Sequence, residues 1–156
     1  MIHSIKYSFI FFFIYSAPSF SNNISPIEPA IASAHPLATQ AGYDILNQGG
    51  NAFDAAIAVS AVLSVVEPYS SGIGGGGFFL LHRESDQFQV FIDAREKAPG
   101  RASSEMYLDS LKNVLPRVSL DGPLAAGIPG LAAGLTHISK EYGSLSLERV
   151  LAPAIA

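Results

Sequence analysis

Four consecutive glycines, residues 74–77, stand between a long apolar segment and a β-rich segment, and they constrain the fold more than any other feature. Glycine has no Cβ, so its backbone is unusually free and lets neighbouring groups approach closely. A P-loop needs Lys and Ser or Thr directly after its glycines, but Phe78 and Phe79 follow here. A dinucleotide-binding turn leads from a strand into a helix, whereas this run leads from a predicted helix into a predicted strand. The run therefore predicts a tight connection packed under other backbone.

Two helices are predicted before the glycines. The first starts at Pro36, because proline is tolerated in a first turn, and it ends before a pair of glycines. The second covers residues 52–66, which are apolar on almost every side, as in a helix buried by several neighbours. Asn51 is its predicted N-cap and Asp54 lies in its first turn, where a carboxylate favours the helix dipole. Pro68 is expected to end it.

Two strands, residues 78–83 and 87–95, are predicted to form a hairpin around a turn at residues 84–86. At least one face of this hairpin should be buried, because side chains alternate between the two faces of a strand. In the second strand one face carries Phe88, Val90, Ile92 and Ala94, and the other carries Gln89, Phe91, Asp93 and Arg95.

The remaining segments are predicted from shorter patterns. Residues 31–34 are a candidate strand, and residues 105–108 are a candidate short helix capped by one of two preceding serines. Residues 109–123 show no regular pattern. Helices are predicted at residues 131–142 and from Ser146 onwards. The sequence ends in apolar residues without a closing cap, which predicts a domain truncated at its C-terminus.

The N-terminal residues have the composition of an export signal. Lys6 and the α-amino group precede an apolar run at residues 7–15, which is too short to span a membrane. We predict a signal peptide at residues 1–21, cleaved before Asn22, and an extended leader at residues 22–30. The protein is therefore expected to be exported, periplasmic or secreted, with no membrane span after cleavage. An uncleaved N-terminal anchor is the alternative.

Composition excludes several classes of function. Hydrophobic residues make up 49% of the chain and charged residues 14%, which is typical of a folded domain. The formal net charge of −4 does not favour a nucleic-acid partner. Cysteine is absent, so there is no disulfide, thiolate metal site or cysteine nucleophile. His82 and His137 are widely spaced and form no metal-ligand pattern, so no metal is expected.

Arg95 is the candidate binding residue, because it stands where the second strand opens into a loop. A guanidinium can hold a carboxylate bidentately, which Lys97 cannot match. The alternative is a surface ion pair between Arg95 and Asp93, and from these residues alone that pair is the preferred interpretation.

No residue of the chain is a candidate nucleophile. Thr39 and Thr136 lie inside predicted helices, whereas an autocatalytic hydrolase needs Thr or Ser at a freed chain terminus. No Gly-x-Ser-x-Gly elbow is present, and His35 is interpreted as a turn residue rather than a general base. We therefore expect no catalytic residue in this chain.

Five segments in order resemble the γ-glutamyltranspeptidase (glutathione hydrolase) family: residues 32–39, 49–56, 74–78, 93–99 and 127–130. The resemblance implies an α+β chain that is an incomplete N-terminal portion of a four-layer αββα N-terminal nucleophile hydrolase fold. Residues 31–156 would be a partial domain of this kind. Arg95 matches the arginine of the Arg-Glu-x-Ala-Pro motif, which in the family binds the α-carboxylate of the γ-glutamyl donor.

The same resemblance implies a mechanism in which a precursor cleaves itself into a large and a small subunit. The N-terminal Thr of the small subunit attacks the γ-glutamyl carbonyl, and the acyl-enzyme passes the glutamyl group to water or an amine. Glutathione and related compounds are the usual donors, and no cofactor is needed. The nucleophile and the oxyanion donors have no counterpart here, so the isolated chain is expected to be inactive without the small-subunit portion.

Two other functions remain open. One is a cephalosporin or glutaryl acylase of the same superfamily, in which Arg95 would hold a glutaryl carboxylate. The other is a non-catalytic, exported binding protein that keeps Arg95 without chemistry.

Overall fold

The computed structural model describes residues 28–156, so the predicted signal peptide and most of the leader lie outside the described residues. Residues 31–156 pack as one unit. Its elements in chain order are α1 (Pro36–Asn47), α2 (Ala52–Val66), the short α3 (Pro68–Ser71), β1 (Gly77–Arg83), a 3₁₀ turn (Glu84–Asp86), β2 (Phe88–Ala94), α4 (Leu131–Tyr142) and α5 (Leu147–Ile155).

The helices α1 and α2 start where the sequence predicts, and side chains fix both starts, although His35 was predicted only as a turn residue. The His35 ring accepts the backbone N–H of Leu37 through Nδ1 at 3.2 Å, so His35 is the N-cap of α1. Asn51 Oδ1 accepts the N–H of Asp54 at 3.0 Å, and Asp54 Oδ2 accepts the N–H of Asn51 at 2.9 Å. This reciprocal capping box satisfies N–H groups that a helix leaves unpaired in its first turn.

The core lies between the helices and one face of the hairpin. Because α2 is apolar on several sides, it packs against α1, α4 and α5 together. The predicted burial of α2 is therefore confirmed. None of the helices within residues 28–156 is long and apolar enough to cross a membrane. The buried residues of the larger core cluster are Ile45, Phe53, Ile57, Ala58, Leu81, Leu131, Leu135, Ile138 and Val150.

The predicted hairpin is confirmed, and its two faces differ. β1 and β2 pair antiparallel, with Gly77 opposite Ala94 and Arg83 opposite Phe88. The inner face packs against the helical core through Phe79, Val90 and Ile92. The outer face exposes the apolar side chains of Phe78, Leu80 and Phe91.

Residues 31–34 do not form the predicted strand. Their polar groups bond instead to α1 and its cap: the N–H of Ile31 donates to the Tyr43 hydroxyl at 3.2 Å, and Ser33 Oγ donates to the His35 carbonyl at 2.9 Å. Ser33 Oγ also lies 2.8 Å from the Thr39 hydroxyl. The segment is therefore the approach to the N-terminus of α1.

The predicted helix at residues 105–108 is also wrong. These residues form turns, and Leu108 pairs with Val114 in an isolated antiparallel bridge. The carbonyl of Tyr107 accepts the N–H of Leu115 at 2.8 Å. A four-residue segment gains too little from helix formation to offset the cost of its first turn, so the non-local bonds prevail. Pro68 ends α2 as predicted but opens the short α3, since proline suits a first helical turn.

Candidate functional site

Arg95 stands directly after the last residue of β2, beside a groove of about 670 Å³. The end of β2 forms one wall of this groove, residues 128–130 form a second, and α4 forms a third. The ionisable residues among its lining are Asp93, Arg95, Lys97 and His137. With histidine counted as neutral, their formal charge is +1, which favours an anionic ligand.

Two glycines allow other backbone segments to pack directly against residue 95. A Cβ at Gly76 would lie 2.6 Å from the Ala94 carbonyl oxygen and 2.7 Å from Arg95 Cα, closer than atoms can pack. A Cβ at Gly130 would collide with the carbonyl oxygens of Ala94 and Arg95. The first glycine run and the later Gly-Ile-Pro-Gly segment are therefore packed around the same peptide. The prediction of a tight connection packed under other backbone is confirmed.

Hydrogen bonds fix the same arrangement. The N–H groups of Gly130 and Leu131 both donate to the Gly75 carbonyl at 3.1 Å. Lys97 and Ile128 exchange a pair of backbone hydrogen bonds of 3.0 and 2.8 Å. The backbone at Arg95 is thus held by two segments that are distant from it in sequence, the glycine run and residues 128–131.

Among the described residues, the Arg95 guanidinium has one ionic partner and one aromatic partner. Its Nε donates to Glu96 Oε2 at 3.2 Å, and its Cζ lies 5.7 Å from the centroid of the Phe78 ring. Within residues 28–156 its two terminal nitrogens make no hydrogen bond, and 60% of the side chain is exposed. The planar fork is consequently available to a carboxylate.

The predicted surface pair between Arg95 and Asp93 is not formed. Asp93 Oδ1 instead accepts the backbone N–H of Arg95 at 3.0 Å, which turns the chain out of β2. The guanidinium points to the neighbouring Glu96. A carboxylate two residues earlier on a strand can reach the backbone of the turn more easily than the far end of a long side chain, and here that local bond prevails.

The two threonines considered as nucleophiles and His82 do not line this groove. Thr39 and Thr136 lie within α1 and α4, and Thr136 Oγ1 donates to the Ala132 carbonyl at 2.8 Å. His82 is on β1, where its Nε2 lies 2.9 Å from Glu84 Oε2 at the hairpin tip. No group of three or more His, Cys, Asp or Glu side chains in the described part of the chain is placed to hold a metal.

Sequence reasoning did not assign Phe78 or His137 to the site. The contact of Phe78 with Arg95 follows from the hairpin register, because Phe78 lies opposite Asp93 and Arg95 is the next residue on that face. The predicted turn at residues 84–86 would instead have placed Phe78 opposite Ile92, because the connection also includes Gln87 in a left-handed conformation, which shifts the register by one residue. The position of His137 at the groove depends on how α4 packs beside β2, which cannot be predicted from any local sequence pattern.

Comparison with known proteins supports the same segments. The family described as gamma-glutamyltranspeptidase matches residues 38–156. The chain belongs to the γ-glutamyltranspeptidase family. This is a family of γ-glutamyltransferase and glutathione hydrolase enzymes, and the predicted resemblance is confirmed.

Individual relatives agree with the family match. The glutathione hydrolase proenzyme of Escherichia coli is 44% identical over 124 residues, which are 80% of this chain and 21% of that protein. The crystal structure of Helicobacter pylori γ-glutamyltranspeptidase has a TM-score of 0.76 and 45% identity, covering 83% of this chain and 38% of that one. The chain thus spans about a fifth of the length of the curated relatives it matches.

A solved acylase also shares the fold. The crystal structure of the cephalosporin acylase from Bacillus halodurans has a TM-score of 0.69 and 32% identity, covering 94% of this chain and 27% of that one. The mixed helix and sheet architecture of residues 31–156 is therefore common to γ-glutamyltranspeptidases and to at least one acylase.

Proposed function

We propose that this chain is the N-terminal part of a γ-glutamyltransferase or glutathione hydrolase precursor and that Arg95 binds the α-carboxylate of its γ-glutamyl donor. The observation that carries the proposal is the free guanidinium fork of Arg95 at a groove lined by further basic side chains. Two parallel N–H···O bonds from such a fork both hold and orient a carboxylate. Glutathione is a donor of this kind.

The reaction requires groups from elsewhere in the precursor. In the proposed mechanism, the oxygen of an N-terminal Thr attacks the γ-carbonyl, and the amine leaves with a proton to give a γ-glutamyl ester. Water or an acceptor amine then attacks that ester and regenerates the Thr hydroxyl. Arg95 makes no bond to the reacting carbonyl; it fixes the other end of the glutamyl group, so that the carbonyl is presented to the nucleophile. This chain by itself is expected to be inactive.

The placement of the elements supports a finer proposal for the fold. Helices cover one face of the β1–β2 hairpin, and the other face exposes Phe78, Leu80 and Phe91. We infer that this hairpin belongs to one sheet of a four-layer αββα sandwich. Export directed by residues 1–21, the leader at residues 22–30 and the partial domain at residues 31–156 are part of the same proposal.

A cephalosporin or glutaryl acylase is the second candidate, favoured by the structural similarity to the Bacillus halodurans acylase. A glutaryl group has the carboxylate of a γ-glutamyl group but not its α-amino group. Arg95 could hold either, so the arginine alone does not separate the two reactions.

Three p-nitroanilide donors separate these functions when they are assayed with the complete precursor. The precursor is expressed from the reading frame that contains this chain. A γ-glutamyl enzyme should release p-nitroaniline from the γ-glutamyl donor and much more slowly from the glutaryl donor, which lacks the amino group. A 4-aminobutyryl donor keeps the amino group but lacks the carboxylate, so its KM should be much higher. Preference for the glutaryl donor would support the acylase. No turnover of any donor, or a reading frame without a nucleophile, would contradict the enzymatic proposal.

A further inference from the structure

We propose that Phe78 is a positioning residue for donor binding, because its ring holds the Arg95 guanidinium in the orientation that leaves the terminal nitrogens free. This inference rests on the proposed role of Arg95. It adds a second residue to the site, contributed by β1 rather than by the Arg-Glu-x-Ala-Pro segment.

The hairpin register brings the two side chains together. Phe78 is the cross-strand partner of Asp93, and Arg95 is the next residue on the same face. Diagonal neighbours on one face of an antiparallel pair are within reach of aromatic and long side chains. The Arg95 Cζ lies 5.7 Å from the ring centroid, within the range in which the face of an aromatic ring attracts a cation.

Phe78 is itself held in place from the other side. The Phe91 ring stacks on it with centroids 5.4 Å apart and an interplanar angle of 28°. The outer face of the hairpin therefore carries a row in which Phe91 supports Phe78 and Phe78 supports Arg95. The backbone that precedes Phe78 is also held in place, since Gly76 packs directly against the Arg95 backbone.

The ring and Glu96 restrain the guanidinium in different ways. Glu96 accepts from Nε at the edge of the guanidinium plane, and Phe78 contacts the group through its aromatic ring. A long arginine side chain has many rotamers, and the affinity of a binding site increases when the rotamers that cannot contact the ligand are excluded before the ligand binds. With both restraints present, the two terminal nitrogens are the part of the group left for a ligand.

Exposure of Phe78 is consistent with this role. The residue is 55% exposed, so its ring adds little to the core formed by the inner face of the hairpin. Within residues 31–156, loss of the ring should therefore affect the orientation of Arg95 more than folding. In the complete precursor the second sheet of the proposed sandwich would cover this face, and Phe78→Leu and Phe78→Met keep an apolar side chain of similar size there.

The test measures the KM of γ-glutamyl-p-nitroanilide with Phe78→Leu, Phe78→Met and Phe78→Tyr in the complete precursor. KM does not depend on the fraction of active enzyme, so poor maturation cannot imitate the effect. We expect the two variants without a ring to raise KM about two- to fivefold with kcat nearly unchanged, and Phe78→Tyr to retain the wild-type KM. The increase should disappear with 4-aminobutyryl-p-nitroanilide, which has no carboxylate for Arg95.

The matched control is Phe88→Leu. Phe88 also contacts an arginine, but at the other end of the hairpin and on its inner face, where the Arg83 Cζ lies 5.2 Å from its ring centroid and Tyr142 packs against it. This variant should leave KM unchanged. If Arg95→Ala raises KM but mature Phe78→Leu or Phe78→Met keeps the wild-type KM, the positioning role of Phe78 is overturned and the proposed binding role of Arg95 is not. An unchanged KM in Arg95→Ala would overturn both that role and the proposed binding site.

Discussion

Arg95 donates to the carboxylate of the adjacent Glu96 through Nε, 3.2 Å away, and leaves both terminal nitrogens free of hydrogen bonds within residues 28–156. A pair of exposed neighbours such as this contributes little to stability. Its consequence is geometric, because it occupies Nε at one edge of the guanidinium and leaves the two terminal nitrogens for a ligand. Substitutions of Arg95 should therefore alter ligand binding rather than folding.

We predict that Arg95→Lys raises the KM for γ-glutamyl-p-nitroanilide at least about tenfold, because lysine keeps the charge but cannot form two parallel hydrogen bonds to a carboxylate. Arg95→Ala should raise it further. Steady-state kinetics on the complete precursor measure both. Arg83→Lys is the control, since Arg83 lies on the same hairpin but its fork is already occupied by Asp86, through Nε at 3.0 Å and a terminal nitrogen at 2.8 Å. Equal KM values for Arg95→Lys and the wild type would contradict bidentate binding.

The sequence predicted the helices well and the site only in part, for physical reasons visible in single residues. α1, α2, α4 and α5 begin and end at local signals, such as the capping box of Asn51 and Asp54, so a local pattern was sufficient. The predictions of a strand at residues 31–34 and of a helix at residues 105–108 were wrong because these segments make hydrogen bonds to partners outside the local pattern. The partner of Arg95 was misassigned because Asp93 binds backbone instead of the guanidinium.

Substitution within the glycine run should depend strongly on position. Gly76→Ala would place a Cβ 2.6 Å from the Ala94 carbonyl oxygen, and that oxygen belongs to backbone that cannot move without displacing Arg95. We expect a loss of at least about 2 kcal/mol in the free energy of unfolding, as for other substitutions that force backbone apart. Gly74→Ala is the matched control, because nothing lies within 4 Å of its added Cβ. Urea denaturation of the two variants should separate them clearly, and similar midpoints would refute the close packing at Gly76.

The hairpin tip should respond to acid through Asp86. The hydrogen bond from Arg83 is the main cause that lowers the pKa of this carboxyl, and the positive charge of Arg83 adds to it. A group whose pKa is lowered by folding adds stability that is complete above its unfolded pKa, about 3.9, and is lost as pH falls through the folded pKa. NMR titration of the side-chain carboxyl should show Asp86 deprotonating below its usual range. In Arg83→Gln the pKa should return towards that range; an unchanged titration would show that Arg83 is not the cause.

The fully buried carboxylate of Asp54 joins α2 to the segment after α4. Its Oδ1 and Oδ2 accept the backbone N–H of Ser144 at 3.2 and 3.0 Å, and Oδ2 also accepts the N–H of Asn51 at 2.9 Å. In Asp54→Asn an amide NH₂ would replace one of these acceptors and face an N–H donor. Hydrogen bonds to a charged group contribute about 1.5–3 kcal/mol each, so we expect unfolding to become easier by about 2–4 kcal/mol. The control is Asp44→Asn on α1, whose carboxylate accepts only an exposed bond from Gln40 among the described residues. Chemical denaturation of the precursor compares the two. If Asp54→Asn were as stable as Asp44→Asn, the buried carboxylate would not be what joins the two segments.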